Sequence, residues 1–133
     1  MSRSEPTWLN YAIVSTLHSE QIRTHGGSPG VRDRGLIESA LARPLQRWTY
    51  DESADLANLA ASYGFGLAKN HGFVDGNKRV AFMALYVFLG LNGRDLDAPE
   101  PEVVSVMLAV AGGELGEDEL AAWVRERWVE AEE

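Results

Sequence analysis

The stretch that decides the fold runs from residue 70 to residue 91 and reads NHGFVDGNKRVAFMALYVFLGL. From Lys78 to Leu91 it is apolar on nearly every side, which predicts a helix buried in the centre of the fold. Its longest apolar run, Val80 to Leu91, is too short to cross a bilayer, since a crossing needs about 20 residues. Asn92 and Gly93 end the helix. A central helix that begins beside a polar loop is therefore the first element of the prediction.

Helical periodicity continues on both sides of this segment. No segment alternates convincingly with period two, so the predicted fold class is all-α. The predicted helices cover residues 8–24, 33–43, 51–70, 78–91, 99–111 and 117–130. Pro44 is expected to end the second helix, and residues 47–50 are expected to form a loop. We therefore predict a compact single domain over residues 1–133, a bundle of about six helices.

Composition restricts the chemistry. The chain has 133 residues, of which 45% are hydrophobic and 24% are charged, enough for one domain with its own core. It contains no cysteine, which excludes disulfides, thiol catalysis and cysteine-ligated zinc. The residues Met1 to Pro6 lead into no apolar signal core, so we expect a cytoplasmic location and no membrane partner.

The charge is unevenly distributed. The chain has a net charge of −8, but residues 95–133 alone hold twelve acidic residues against Arg125 and Arg127, a balance of −10. A globally acidic chain lacks the cationic footprint that nucleic-acid binding needs, so direct nucleic-acid binding is not expected. A local basic set of Lys69, Lys78 and Arg79 could still hold a compact anion such as a nucleotide phosphate.

The polar loop before the central helix has the composition of an anion site. Its sequence, residues 71–79, is HGFVDGNKR. Unpaired N–H groups at the start of a helix, together with the helix dipole, bind anions, and Gly76 lets a ligand approach the backbone closely. Asn77, Lys78 and Arg79 add donors, and cations in a first helical turn oppose the dipole unless an anion is present. We therefore predict that Gly76 to Arg79 bind a phosphate.

Further residues of the loop suit phosphoryl transfer. A bound phosphate brings a divalent cation, usually magnesium held through carboxylates, and Asp75 is the loop's one carboxylate. His71 is placed to take a proton from an incoming hydroxyl. Phe73 is expected to point inward and to anchor the loop. The combination predicts transfer of a phosphoryl-type group by positioning and charge neutralisation.

Structural interpretations stand beside these functional ones. His18 and His25 fit a helix cap or a solvent contact. Asp75 and Gly76 alone would form a turn, and Asn77 would cap the following helix. The four tryptophans fit core or interface packing, and the acidic carboxy-terminal helices fit a solvated face. The neighbours of His71 favour the functional interpretation at that position.

The loop pattern His-x-Phe-x-Asp-x-Asn-Lys-Arg resembles the signature of the Doc (death on curing) toxins in the Fic superfamily. The upstream stretch Gly26–Pro44, GGSPGVRDRGLIESALARP, is typical of the amino-terminal half of that family. The likeness covers residues 17–94. It implies a Fic/Doc-like fold, ATP and Mg²⁺ as cofactors, and transfer of the γ-phosphate of ATP to a threonine or serine hydroxyl of a protein.

Carried over position by position, the resemblance implies a role for each matching loop residue. The catalytic base matches His71, the magnesium ligand matches Asp75, and the loop anchor matches Phe73. The phosphate-binding positions match Asn77, Lys78 and Arg79. By the same resemblance the acceptor is a threonine of elongation factor Tu, so translation stops, and a partner antitoxin restrains the toxin. Contact with nucleic acid is then expected through the antitoxin alone.

Two alternatives stay open, AMP transfer and a non-catalytic, antitoxin-binding regulator of its own operon. The adenylyl-transferring branch has the pattern His-Pro-Phe-x-x-Gly-Asn-Gly-Arg-x-x-Arg, and Gly72, Lys78 and Phe82 replace its proline, second glycine and second arginine. These departures favour the kinase reaction. The inhibitory motif Ser/Thr-x-x-x-Glu-Gly/Asn of the superfamily is also unmatched, because Gln21 follows Thr16–Glu20. Inhibition in trans, by an antitoxin segment, is therefore expected.

Overall fold

The fold is built from six helices and one short pair of strands within residues 3–132, the part of the chain that this computed structural model describes. The helices are α1 (Tyr11–His25), α2 (Arg34–Tyr50), α3 (Leu56–Asn70), α4 (Asn77–Leu91), α5 (Glu100–Ala111) and α6 (Glu117–Arg127). The strands β1 (Arg94–Leu96) and β2 (Trp128–Glu130) pair antiparallel. The prediction of an all-α bundle of about six helices is confirmed, although the small sheet was not predicted.

Helices α3 and α4 form the centre of the fold. Helix α3 packs against α2, α4 and α6, and α4 also contacts α1 and α5. Tyr63 of α3 and Phe88 of α4 are fully buried, with ring centroids 5.0 Å apart. The Tyr63 hydroxyl accepts a hydrogen bond from the Leu9 N–H at 3.0 Å, which attaches the amino-terminal segment to the core. Because large aromatic side chains bury the most apolar surface, these two rings fix α3 against α4.

The predicted central helix is α4, but it is not enclosed on every side. One face is buried and consists of Val80, Ala81, Ala84, Leu85, Phe88 and Leu89. Phe82, Met83 and Tyr86 on the other side are partly exposed and line a groove between α4 and α5. The expectation of burial all round is therefore wrong for this side. None of the helices within residues 3–132 combines the length and the apolar character that a membrane crossing requires.

Helix α2 continues through Pro44, so the predicted helix end at Pro44 and the predicted loop over residues 47–50 are both wrong. A proline inside a helix lacks one N–H donor and costs about 3 kcal/mol. Tertiary contacts beyond the proline oppose that cost. Arg47 donates to Glu117 at 2.9 Å and to Asp118 at 3.2 Å, and Trp48 packs edge-on against Trp8.

Helix α3 begins at Leu56 and not at the predicted residue 51. The reason is a capping box at Asp55. The Asp55 carboxylate accepts the Asn58 N–H at 2.9 Å, and the Asn58 side chain accepts the Asp55 N–H at 3.0 Å. Reciprocal bonds of this kind satisfy the first free N–H groups and start a helix at that point.

Two other predicted ends also differ from the structure. Helix α1 begins at Tyr11 and not at residue 8, because the Asn10 side chain caps it by accepting the Ile13 N–H at 2.9 Å. Helix α6 ends at Arg127 and not at residue 130, because Trp128–Glu130 pair with β1. Both shifts come from local hydrogen bonds that override helical periodicity.

The Asp55 carboxylate also joins α3 to α6. It accepts bonds from Arg125 Nε at 2.8 Å and Arg125 Nη2 at 3.0 Å. Partial burial raises the pKa of Asp55, but the hydrogen bonds from Arg125 and from the Asn58 N–H lower it more, so the net pKa lies below the ordinary value. The ionised form of Asp55 is therefore favoured in the folded protein.

We expect Asp55→Ala to lower the free energy of unfolding by about 1 to 2 kcal/mol, since it removes the helix cap and the ion pair. Asp55→Asn keeps a capping oxygen and is expected to lose less. The advantage of wild type over D55N is full at neutral pH and is lost as the pH falls through the lowered pKa of Asp55. Urea unfolding at several pH values measures both effects. Equal losses in the two variants at neutral pH would contradict the capping role.

Candidate active site

The loop of residues 71–76 joins α3 to α4 and is held in an unusual backbone conformation. His71 ends α3 with φ 55° and ψ 47°, in the left-handed region that residues other than glycine seldom occupy. The contacts that hold it there come from Arg32. Its Nε donates to the His71 carbonyl at 2.7 Å, and its Nη2 donates to the Asn70 carbonyl at 3.2 Å. Such a conformation persists when the surrounding contacts over-determine it.

Asn77, the first residue of α4, organises the loop from within. The side chain is 3% exposed. Its Oδ1 accepts the Phe73 N–H at 3.0 Å, and its Nδ2 donates to the Phe73 carbonyl at 3.0 Å. The same Nδ2 lies 3.1 Å from His71 Nδ1. The structure thus places the Asn77 amide inside the loop, and the predicted contact between Asn77 and a phosphate stays a prediction.

The contact with Asn77 determines which ring nitrogen of a neutral His71 bears the hydrogen and which one accepts a hydrogen bond. The two backbone groups of Phe73 fix the Asn77 amide, so the atom facing His71 is the Nδ2 donor. His71 Nδ1 must therefore accept, and a neutral His71 ring has its hydrogen on Nε2. For His71 to act as a base, an incoming hydroxyl has to replace Asn77 at Nδ1, or the ring has to exchange its tautomer.

Phe73 is buried and Gly72 leaves no room for a side chain. Phe73 is 2% exposed and forms an isolated β-bridge with Val31. A Cβ on Gly72 would lie 2.4 Å from Cγ1 of Ile37, which is closer than real side chains approach. The Gly72 carbonyl accepts the Arg32 N–H at 2.8 Å. The segment between α1 and α2 therefore holds the loop along its length.

The amino terminus of α4 is open. Gly76 is its N-cap, with φ 75°, and no side chain within residues 3–132 accepts a capping hydrogen bond there. The first N–H groups of a helix have no partner inside it, so those of Asn77, Lys78 and Arg79 are arranged in a way that suits an anion. Lys78 and Arg79 are exposed beside this site, and Arg79 Nη1 donates to the Gly26 carbonyl at 3.1 Å.

Asp75 is exposed and held by backbone donors. Its Oδ1 accepts the Gly76 N–H at 2.8 Å, and its Oδ2 accepts the Ser28 N–H at 3.1 Å. The bonds from Ser28 and Gly76, helped by the charges of Arg79 and Lys78, lower the pKa of Asp75 below its ordinary value although desolvation opposes them. Each carboxylate oxygen keeps a free lone pair, so Asp75 can still ligate a cation.

His18 is a residue of the site that sequence reasoning missed. Its interpretation as a cap or a solvent contact is wrong, because the side chain is 4% exposed. Its Nε2 lies 2.7 Å from the Asp75 carbonyl, and its ring stacks on Phe73. The helical register held a usable signal, since His18 follows the other buried residue of α1, Val14, by one helical turn.

The side chain of Lys69 reaches the connection between α5 and α6. Its Nζ would lie 3.6 Å from a Cβ on Gly113, in the connection between α5 and α6. This contact does not test whether Lys69 also helps to hold a phosphate, which stays a prediction.

A groove of about 540 Å³ extends from the amino terminus of α4 along the space between α4 and α5. We call it the α4–α5 groove. Its end near the loop is polar and includes Gln21, His25, Lys78 and Arg79. Its remaining lining is mostly apolar and includes Phe82, Met83, Tyr86, Val103, Met107 and Leu108. The groove therefore joins a cationic end to an apolar channel.

Comparison with known proteins assigns the chain to a family. The sequence model of the Fic/DOC family matches residues 8–89. The chain is 34% identical over 116 residues to "Protein kinase doc" of Escherichia phage P1, covering 87% of this chain and 91% of that protein. It is 47% identical over 75 residues to "Toxin Doc" of Mycolicibacterium smegmatis, covering 55% of this chain and 57% of that protein. The chain belongs to the Fic/DOC family and is similar to its Doc toxins.

Gly27 and Gly26 form a matched pair for testing how Asp75 is held. Both have positive φ, 117° at Gly27 and 84° at Gly26. A Cβ on Gly27 would lie 2.7 Å from Asp75 Oδ2, whereas a Cβ on Gly26 meets nothing within 4 Å. Alanine therefore adds backbone strain at both positions but displaces the carboxylate at one of them.

We expect Gly27→Ala to break the bond from the Ser28 N–H and to raise the pKa of Asp75 towards its ordinary value. The carboxylate would then become protonated at a higher pH than in wild type. Carboxyl ¹³C NMR titration of the protein measures this pKa. Gly26→Ala is the control and should leave it unchanged. An equal rise in both variants would contradict the assigned contact.

Proposed function

We propose that this member of the Fic/DOC family is a toxin kinase of the Doc type, which transfers the γ-phosphate of ATP to a threonine or serine hydroxyl of a translation factor. Elongation factor Tu is the acceptor that the family resemblance implies. The observation that carries the proposal is the open amino terminus of α4, with Lys78 and Arg79 beside it and Asp75 and His71 in the same loop. The names of the two relatives, a protein kinase and a toxin, support it.

The donor set of the loop fits ATP with Mg²⁺. The N–H groups at the start of α4 suit phosphate oxygens, and Lys78 and Arg79 supply positive charge. Within residues 3–132 no group of three or more His, Asp or Glu side chains is arranged to hold a metal ion. A lone carboxylate such as Asp75 suits Mg²⁺, which commonly takes its other ligands from phosphates and water. Bound MgATP would supply the phosphoryl group and a neutralising charge.

The protein's own residues then position the reaction. Asp75 stays ionised because the Ser28 and Gly76 N–H groups bind its carboxylate. Asn77 keeps the His71 ring in place until an acceptor hydroxyl arrives, and His71 takes the hydroxyl proton. The helix terminus and the two cations hold the negative charge that phosphoryl transfer leaves on oxygen.

Three features favour phosphoryl over adenylyl transfer. The AMP-transferring pattern has proline at the position of Gly72, and the contact of a Gly72 Cβ with Ile37 leaves no space for a proline ring. At the position of its second arginine this chain has Phe82, which lines the apolar part of the α4–α5 groove and offers no donor to a phosphate. Lys78 adds a cation where that pattern has glycine.

Restraint of the toxin is proposed to come from an antitoxin segment in trans. Helix α1 has no intact inhibitory motif, and Gln21 lines the groove with a neutral side chain. The α4–α5 groove is a place where an amphipathic segment could cover both the cationic end and the apolar channel. An isolated protein that stayed inactive on its correct acceptor, with no partner bound, would contradict restraint in trans.

The deciding experiment incubates the protein with Mg²⁺, purified elongation factor Tu and ATP labelled on either the γ- or the α-phosphate. We expect γ-label on the factor. His71→Ala is expected to reduce labelling by about 100-fold or more, because general base catalysis contributes at least that much. Lys78→Ala should reduce labelling more than Lys69→Ala, because the side chain of Lys69 reaches the α5–α6 connection.

The other outcomes separate the alternatives. Label from the α-phosphate would mean AMP transfer and would contradict the kinase proposal. No label from either ATP would point to another acceptor or to a non-catalytic regulator. Calorimetric titration with ATP distinguishes those two, because a kinase for another acceptor would still bind ATP in a manner that requires Mg²⁺ and is weakened by Asp75→Asn.

A further inference from the structure

His18 is a buried polar side chain that the proposed chemistry does not use. It lies on α1, far from the loop in sequence, and is 4% exposed. Its ring stacks on Phe73, with centroids 3.9 Å apart and an interplanar angle of 13°. Its Nε2 lies 2.7 Å from the carbonyl oxygen of Asp75. A carbonyl oxygen can only accept, so Nε2 bears a hydrogen and donates it.

The hydrogen bond from His18 fixes the peptide unit between Asp75 and Gly76, and this peptide unit contacts the Asp75 carboxylate. The Asp75 carbonyl and the Gly76 N–H belong to the same planar peptide unit. The Gly76 N–H donates to Asp75 Oδ1 at 2.8 Å. When His18 holds the carbonyl, it therefore also sets the direction in which the N–H points, and through that N–H the orientation of the carboxylate.

The second carboxylate oxygen of Asp75, Oδ2, is held by the turn that follows α1. Asp75 Oδ2 accepts the N–H of Ser28, which follows α1 closely in sequence. The packing around Gly76 is also close, since a Cβ there would lie 3.6 Å from His18 Nε2 and 3.2 Å from Ile22 Cδ1. Helix α1 and the turn after it thus contact Asp75 directly at its carbonyl and at Oδ2, and act on Oδ1 only through the Gly76 N–H.

We propose that His18 is a positioning residue for Asp75, which orients the carboxylate towards a divalent cation by fixing the peptide between Asp75 and Gly76. The metal half of this inference rests on the proposed function. The alternative is that His18 merely fills space beside Phe73. A phenylalanine at position 18 could stack on Phe73 equally well but could not donate a hydrogen bond. Substitution can therefore separate the positioning role from the packing role.

Two variants divide the roles of the ring and of the donor. His18→Phe keeps an aromatic ring against Phe73 but has no hydrogen to donate. His18→Gln loses the ring, but its amide nitrogen lies about as far from the backbone as Nε2 and can donate to the Asp75 carbonyl. Thermal unfolding of both variants by circular dichroism shows that each is folded and reports the packing loss of each separately.

The first readout needs no nucleotide. Amide hydrogen exchange followed by NMR is measured at Gly76 in the protein alone. We expect exchange to rise by up to about tenfold in H18F, because the peptide is no longer fixed, and to stay near the wild-type rate in H18Q. The second readout is the Mg²⁺ concentration that half-saturates ATP binding, which should rise by about tenfold in H18F and much less in H18Q.

Equal changes in the two variants, or larger changes in H18Q, would overturn the proposal and leave His18 as a packing residue. Unchanged exchange in H18F would overturn it as well. If the wild-type protein binds no MgATP, the proposed function fails on that result, and the exchange readout still decides whether His18 fixes the loop.

Discussion

The amino terminus of α4 has to remain open at the surface while the body of α4 is buried, and the arrangement of the loop follows from that constraint. Burial of Phe88 and Leu85 fixes the axis of the helix, and with it the direction of its dipole. Gly76 begins the helix without a side-chain cap, so the first N–H groups stay available. The protein thus keeps unpaired donors beside two cations, an arrangement that is stabilised when an anion binds.

The loop is held in place by segments distant in sequence. Asn77 joins the two ends of the loop, but Arg32, Ser28 and His18 attach it to the rest of the protein. His71 and Asp75 therefore have conformations that the loop alone would not maintain. The family match covers both the segment from α1 into α2 and the loop, and their contacts bring them together in one candidate site.

The parts of the structure that sequence could predict are those set by neighbouring residues. The position of α4, the fold class and the grouping of the loop residues depend on periodicity and on one continuous segment. Prediction from the sequence failed where contacts between residues far apart in the chain determine the local structure. Pro44 lies inside α2 because Arg47 and Trp48 bind other elements, and His18 is buried because its partner lies in the loop. The start of α3 is different, because the capping residues Asp55 and Asn58 are three positions apart in the sequence and form a recognisable capping signal.

The proposed function depends on the binding of the phosphates of ATP at the open end of α4. The most direct test records backbone amide NMR spectra of the protein with Mg²⁺ while ATP or adenosine is added. We expect the N–H signals of Asn77, Lys78 and Arg79 to move saturably with ATP and far less with adenosine, because phosphate oxygens would accept hydrogen bonds from these groups. Signals that stay in place, or that move equally with both compounds, would contradict it.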